Sequence, residues 1–101
     1  MFDRTCFFYY MNREKEDMSK VQKTIVNRVK TLCKERDLSY YMLARQSGVP
    51  TATIFHLVDG ITQSTRVTTI VKICSGLGMT LEKFFGTSEF EELLQVVSEE
   101  D

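Results

Sequence analysis

From residue 20 onward, apolar residues recur along this chain at helical spacing. Ile25, Val29, Leu32 and Cys33 stand at i, i+4, i+7 and i+8, which lines one face of a helix over residues 20–36 and leaves Lys23, Lys30 and Lys34 elsewhere on its surface. Ser19 is placed to cap it. Two shorter helices follow between Ser39 and Gly60, and residues 61–65 (ITQST) make a polar loop. The pattern then predicts a fourth helix over residues 67–77, with Val67, Ile70, Val71, Ile73 and Cys74 available for burial and Gly76 and Gly78 bracketing its end. Thr80 caps a short fifth helix over residues 81–85, where Phe84 or Phe85 closes the core and Gly86 ends the run. A last amphipathic helix over residues 88–97 is capped by Ser88. Acids in its first turn favour the helix dipole, and Phe90, Leu93, Leu94 and Val97 form its apolar face. Residues 5–11 differ, having the β-branched and aromatic content of a strand, and residues 12–17 are a charged run.

The chain is organised around residues 39–60, SYYMLARQSGVPTATIFHLVDG. Ser39 can cap the first of the two short helices, because its hydroxyl accepts from an amide one turn on. Leu43 and Ala44 face inward, and Ala44 is small enough for another helix to cross closely. Gly48 suits a left-handed residue at the helix stop, a conformation costly for any residue with a Cβ. Val49 plugs the turn. Pro50 forbids continuation of the first helix and disfavours helical geometry at Val49. Thr51 is placed to cap the second helix, which buries Ile54 and Leu57 and ends near Asp59 and Gly60. An ordinary helical hairpin shares the glycine turn. The joint placement of Leu43, Ala44, Gly48, Val49, Ile54 and Leu57 is what marks a tight, near-perpendicular helix-turn-helix.

With those residues, Arg28, Leu38-Ser39, Ser47, Thr53, Gly60, Ile70, Ile73-Cys74, Leu77-Gly78 and the run 81–85 (LEKFF) carry a resemblance. Over about residues 25–85 the chain resembles the phage-repressor-like (Cro, or xenobiotic-response-element) helix-turn-helix DNA-binding family. The resemblance implies an all-α, five-helix lambda-repressor-like domain, here with an additional C-terminal helix and a short N-terminal extension. It implies double-stranded DNA as the partner and pairing into a homodimer. One departure concerns Arg28, which stands where the family often has an Arg paired to a Glu late in the recognition helix. Val58 holds that partner position, so Arg28 is left to find a carboxylate elsewhere or to be solvated.

Composition bounds the rest. A chain of 101 residues with 43% hydrophobic content makes one small domain, and one Pro and five Gly argue against a disordered linker. No apolar run approaches the roughly 20 residues that cross a bilayer. The longest, residues 6–11, is also too short for a secretory signal core. Cys6, Cys33 and Cys74 form no C-x-x-C pair, which fits free thiols in a reducing cytoplasm. Cys33 and Cys74 occupy apolar helical positions and read as small buried hydrophobes. The net charge of −1 conceals a division: residues 18–84 carry ten bases and four acids, and residues 85–101 carry six acids and no base. A basic core followed by an acidic tail is compatible with DNA binding.

Three segments result. Residues 1–17 are either an added arm or an upstream extension before a natural start at Met18. Residues 18–86 are the DNA-binding domain, and residues 87–101 an acidic helix and tail. Catalysis finds little support: one His, no phosphate loop, no nucleophile elbow and no metal-ligand cluster, so no enzyme, cofactor, metal or small-molecule ligand is expected. His56 is a lone imidazole. With Ile54, Leu57 and Val58 turned inward, Thr51, Ala52, Phe55 and His56 face out from the second short helix, at the positions by which the resembling family reads base edges. Ala52 and the Thr51 methyl suit thymine methyls, and His56 can donate to a purine. Phe55 is unusual at a position more often polar in the family; it packs on thymine methyls or against a partner. Tyr40, Thr53, Thr62, Gln63, Ser64 and Arg66 are the expected backbone contacts, Arg66 matching a position that some members place in a narrowed minor groove. Arg45 and Lys34 add nearby charge. The expected function is a small sequence-specific repressor on a near-palindromic operator. The alternatives are an antitoxin-like autoregulator, or a protein-interaction module on the same fold.

Overall fold

In a computed structural model, residues 19–100 are described, with side chains to residue 95. The expected strand or arm over residues 1–17 lies outside them. Six helices follow one another: α1 (Lys20–Glu35), α2 (Tyr40–Ser47), α3 (Thr51–Val58), α4 (Val67–Leu77), α5 (Leu81–Phe85) and α6 (Ser88–Glu100). This is the all-α helix-turn-helix architecture that the sequence predicts.

The first five helices close one core around the fully buried Val29, Leu43, Ile54, Leu57, Ile73 and Phe84. Burying such side chains contributes roughly 1.5–3 kcal/mol each, the main favourable term in a domain this small. Cys33 and Cys74 belong to the same core, and burial pushes both thiols above their ordinary range, so they stay protonated and inert as packing residues.

Two corners are built alike. At the end of α1 the Leu38 amide donates to the Cys33 carbonyl at 2.8 Å, and at the end of α4 the Met79 amide donates to the Cys74 carbonyl at 3.0 Å. Each corner passes through a left-handed residue, Asp37 at φ 53° in one and Gly78 at φ 64° in the other. Leu38 and Met79 then pack on the core, and the hydroxyls of Ser39 and Thr80 cap the next helix, each accepting from an amide three residues on at 3.1 Å. This is the Schellman arrangement with its apolar contact, used twice.

The turn between α2 and α3 is as expected at Gly48, which has φ 73° and donates its amide to Ala44 at 3.0 Å. Thr51 is not the cap. Pro50 holds that position and its carbonyl receives the first helical amides, so Thr51 is the first helical residue. The cause is the fixed φ of proline, which suits the entry to a helix and moves the boundary one residue early. Likewise the first amides of α6 reach the carbonyl of Thr87, one residue before Ser88.

The close crossing of α2 and α4 occurs at Gly76, inside α4. A Cβ there would stand 2.7 Å from both Cα and N of Ser47. Only Gly78 marks the helix end. On α4 the buried stripe is Ile70, Ile73, Cys74 and Leu77, whereas Val67 and Val71, available for burial by their apolar character, are 71% and 44% exposed. Val71 lies off the i, i+3, i+4, i+7 stripe, and Val67 stands in the first turn of α4 before it.

α6 runs back along α1. Phe90 joins Phe84 and Phe85 in an aromatic group with ring centroids 4.9–5.9 Å apart. Arg28 completes the joint, with Nε donating to the Phe84 carbonyl and Nη2 to the Lys83 carbonyl, both at 2.9 Å. Of the two fates left open for Arg28, carboxylate pairing or solvation, neither describes it: it caps the end of α5.

Candidate nucleic-acid interface

α3 is eight residues long, and its own pattern divides it. Ile54, Leu57 and Val58 are buried, which turns Ala52, Phe55 and His56 to solvent and leaves Thr51 and Thr53 half-buried at the margins. The turn at Gly48 and Pro50 fixes where α3 starts. The buried stripe fixes its rotation. Two independent local signals thus set which side chains it presents.

Two groups of residues flank this face. On one side Tyr40, at the start of α2, meets Phe55 edge to face, ring centroids 6.0 Å apart and planes at 88°. Phe55 remains 39% exposed. It is therefore neither buried nor isolated, because Tyr40 supports it and fixes one of its edges. Burial raises the Tyr40 phenol above its ordinary range, with smaller contributions from Cys33 and Asp59, so the hydroxyl stays protonated and able to donate.

On the other side the loop after α3 comes back toward it. Thr53, Thr62, Ser64, Thr65 and Arg66 line one small cleft of about 140 Å³. The loop is held at both ends. The Ile61 and Thr62 amides donate to the His56 carbonyl at 2.9 and 3.2 Å. Gln22, buried on α1, accepts from the Thr65 amide at 2.9 Å through Oε1 and donates to its hydroxyl at 2.7 Å through Nε2. A buried amide with both ends satisfied specifies its partner closely, since either end left unpaired costs about 1–3 kcal/mol.

The structure therefore brings together Thr53, Thr62, Ser64 and Arg66 on one flank and Tyr40 with Phe55 on the other, with Ala52 and His56 between and Thr51 at the start of the helix. Gln63 is exposed on the same loop. Sequence reasoning missed Gln22, which positions the loop from 43 residues away. Its sequence signal is slight, because Gln22 stands beside Lys20, Lys23 and Thr24 in a mostly polar start of α1. Among the described residues there is no group of three or more His, Cys, Asp or Glu able to hold a metal ion, and no helix long and apolar enough to cross a membrane.

Comparison with curated proteins and with solved structures gave no match. A family model, the Cro/C1-type HTH DNA-binding domain, matches residues 28–89, more than half of the chain and all of the elements that form the face described above. Turn, buried stripe and family model coincide on the same residues, and the chain belongs to the Cro/C1-type helix-turn-helix DNA-binding family.

Proposed function

We propose that the chain is a transcriptional repressor that occupies a near-palindromic operator as a homodimer, with α3 in the major groove. The observation that carries this reading is the division of α3, whose apolar side is consumed by the core while Thr51, Ala52, Phe55 and His56 are left together at its surface. Ala52 and the Thr51 methyl pack on thymine methyls, Phe55 extends that apolar contact, and His56 donates to a purine edge. Tyr40, Thr53, Thr62, Gln63 and Ser64 bind the backbone, and Arg66 reaches toward a narrowed minor groove between half-sites. The basic balance of residues 18–84 supplies the attraction for phosphate. In the dimer two α3 helices sit about 34 Å apart, one turn of DNA. Repression is by occlusion.

Binding of the purified chain to the DNA upstream of its own gene tests this, with random duplex as competitor at two salt concentrations. Selective binding is expected. Affinity should fall steeply with salt, and a Thr51→Ala/His56→Ala double variant should lose at least about tenfold on the operator, as each base contact is worth roughly 1–3 kcal/mol. Equal affinity for random duplex would refute sequence-specific reading. A second reading, a protein-interaction module or antitoxin-like autoregulator, is favoured by one observation: Leu94 is 71% exposed on the acidic helix α6. Absence of any DNA binding would favour the interaction module, whereas an antitoxin-like autoregulator would still bind its own upstream DNA.

A further inference from the structure

Beside the face of α3 lies a shallow groove of about 570 Å³ that the operator reading leaves largely unused. Its walls are Lys30 and Lys34 of α1, Leu38, Tyr40 and Tyr41 at the start of α2, and Phe55 of α3. Tyr41 is 53% exposed and Phe55 is supported edge-on by Tyr40. Lys30 and Lys34 are one helical turn apart, which places two ammonium groups in a row along one side, and no acid lines the groove.

These groups suit an unpaired strand. In a duplex the bases cover one another's faces and show only their edges in the grooves, so an exposed ring has nothing to stack on. A single strand offers the π-faces of its bases to aromatic side chains and its phosphates to a cationic rail. Such stacking tolerates any sequence, because every base has a face. We infer that the groove between α1, α2 and α3 binds single-stranded nucleic acid, with bases on Tyr41 and Phe55 and phosphates along Lys30 and Lys34. Phe55 and Tyr40 also border the duplex face, so single strand and operator compete for the chain. The inference does not depend on the operator reading, since Tyr41 and the two lysines serve the groove and have no part in the contacts assigned to α3.

The test uses the full chain and labelled oligo-dT, oligo-U and random duplex, followed by fluorescence anisotropy. With no Trp and four Tyr in the chain, quenching of tyrosine emission reports stacking directly. The expected result is salt-sensitive binding of the single strands that falls about tenfold in Tyr41→Ala, on the scale of one lost base–aromatic stack, and is retained in Tyr41→Phe. Duplex affinity should change less than twofold in Tyr41→Ala, and circular dichroism should show an unchanged fold, since Tyr41 is exposed. Tighter binding of oligo-dT or of oligo-U identifies DNA or RNA as the natural strand. Three outcomes overturn the inference. They are no binding of either oligonucleotide, an equal loss of duplex and single-strand affinity in Tyr41→Ala, and binding that depends on the lysines but not on the ring. A Glu-rich peptide that binds through Tyr41 where no oligonucleotide does would make the groove a protein site instead.

Discussion

The crossing of α2 with α4 and the seating of α6 on α1 both join parts of the chain that are distant in sequence, and they are built by opposite means. At the crossing, Gly76 brings one backbone against another, and the neighbouring Ala44 and Cys74 are small and buried. Nothing there can adjust, because the closest atoms belong to main chain. At the α6 joint a guanidinium holds two carbonyls, three aromatic rings lean together, and a cleft of about 250 Å³ remains between the helices, lined by Thr24, Asn27, Arg28, Thr31, Thr87, Glu89 and Phe90. The first joint fixes how closely α2 and α4 approach. The second ties on an acidic helix through groups that can exchange with water. The crossing locks backbone against backbone, and the α6 joint leaves room for side chains to adjust.

Gly76→Ala tests the rigid joint and carries the largest expected effect. On an open helix, alanine in place of glycine gains up to about 1 kcal/mol. Here the new Cβ lies 2.7 Å from Ser47 main chain, so the helices must part. Overpacking of this kind costs typically about 1–3 kcal/mol, and the sign of the substitution reverses. Urea unfolding should show a midpoint clearly below that of the unaltered chain. A gain in stability would mean that the crossing yields, and the contrast between the joints would fail.

The same contrast governs how much the sequence discloses. Ser39, Gly48, Ile54 and Leu57 are legible because each obeys a local rule: a cap, a left-handed stop, a helical stripe. The outward face of α3 follows from them as the complement of what is buried. Gly76 is not legible, because its partner Ser47 is 29 positions away, and a glycine close to a helix end looks like a stop signal. Gln22 and Arg28 fail for the same reason, since their partners lie 43 and 55–56 residues on. Val67 and Val71 mislead differently, since apolar identity says nothing of whether a neighbour exists to cover that side. The places of Tyr40 and Phe55 follow from their own helices, but their pairing depends on the angle between α2 and α3. The groove beside them was hidden with it.

Arg28→Lys addresses the adjustable joint, with an intermediate effect. An ammonium cannot reproduce the planar fork that serves the carbonyls of Lys83 and Phe84 together, so at least one bond is lost. The expected cost is about 1–2 kcal/mol, at or below the roughly 1.5–3 kcal/mol of hydrogen bonds to charged groups because the site is partly exposed. It should be local. Hydrogen exchange is expected to quicken in α5 and α6 while the amides of α2 and α3 keep their protection. Uniform loss of protection would show that α6 is as integral to the fold as the crossing is.

Glu89 gives the finest test, because it stands at the start of α6 and faces the Arg28 cleft. Its carboxyl is held below its ordinary value of 4.5, first by a backbone amide of its own turn, then by the Thr87 hydroxyl, and least by Arg28. A carboxylate whose pKa is lower folded than unfolded stabilises the fold above the unfolded value, and that contribution is lost as pH falls through the folded one. Glu89→Gln removes the charge while keeping the shape. The unaltered chain should therefore be the more stable of the two at pH 7, by a small margin since the group is fully exposed. The two should converge as pH drops below 4.5 toward the point where Glu89 is protonated in both states. Thermal melts of both chains across that interval measure the gap. A gap that stays constant on acidification would mean that the variant disturbs packing instead of removing a charge. The first turn of α6 would then rest on shape, as the crossing of α2 and α4 does.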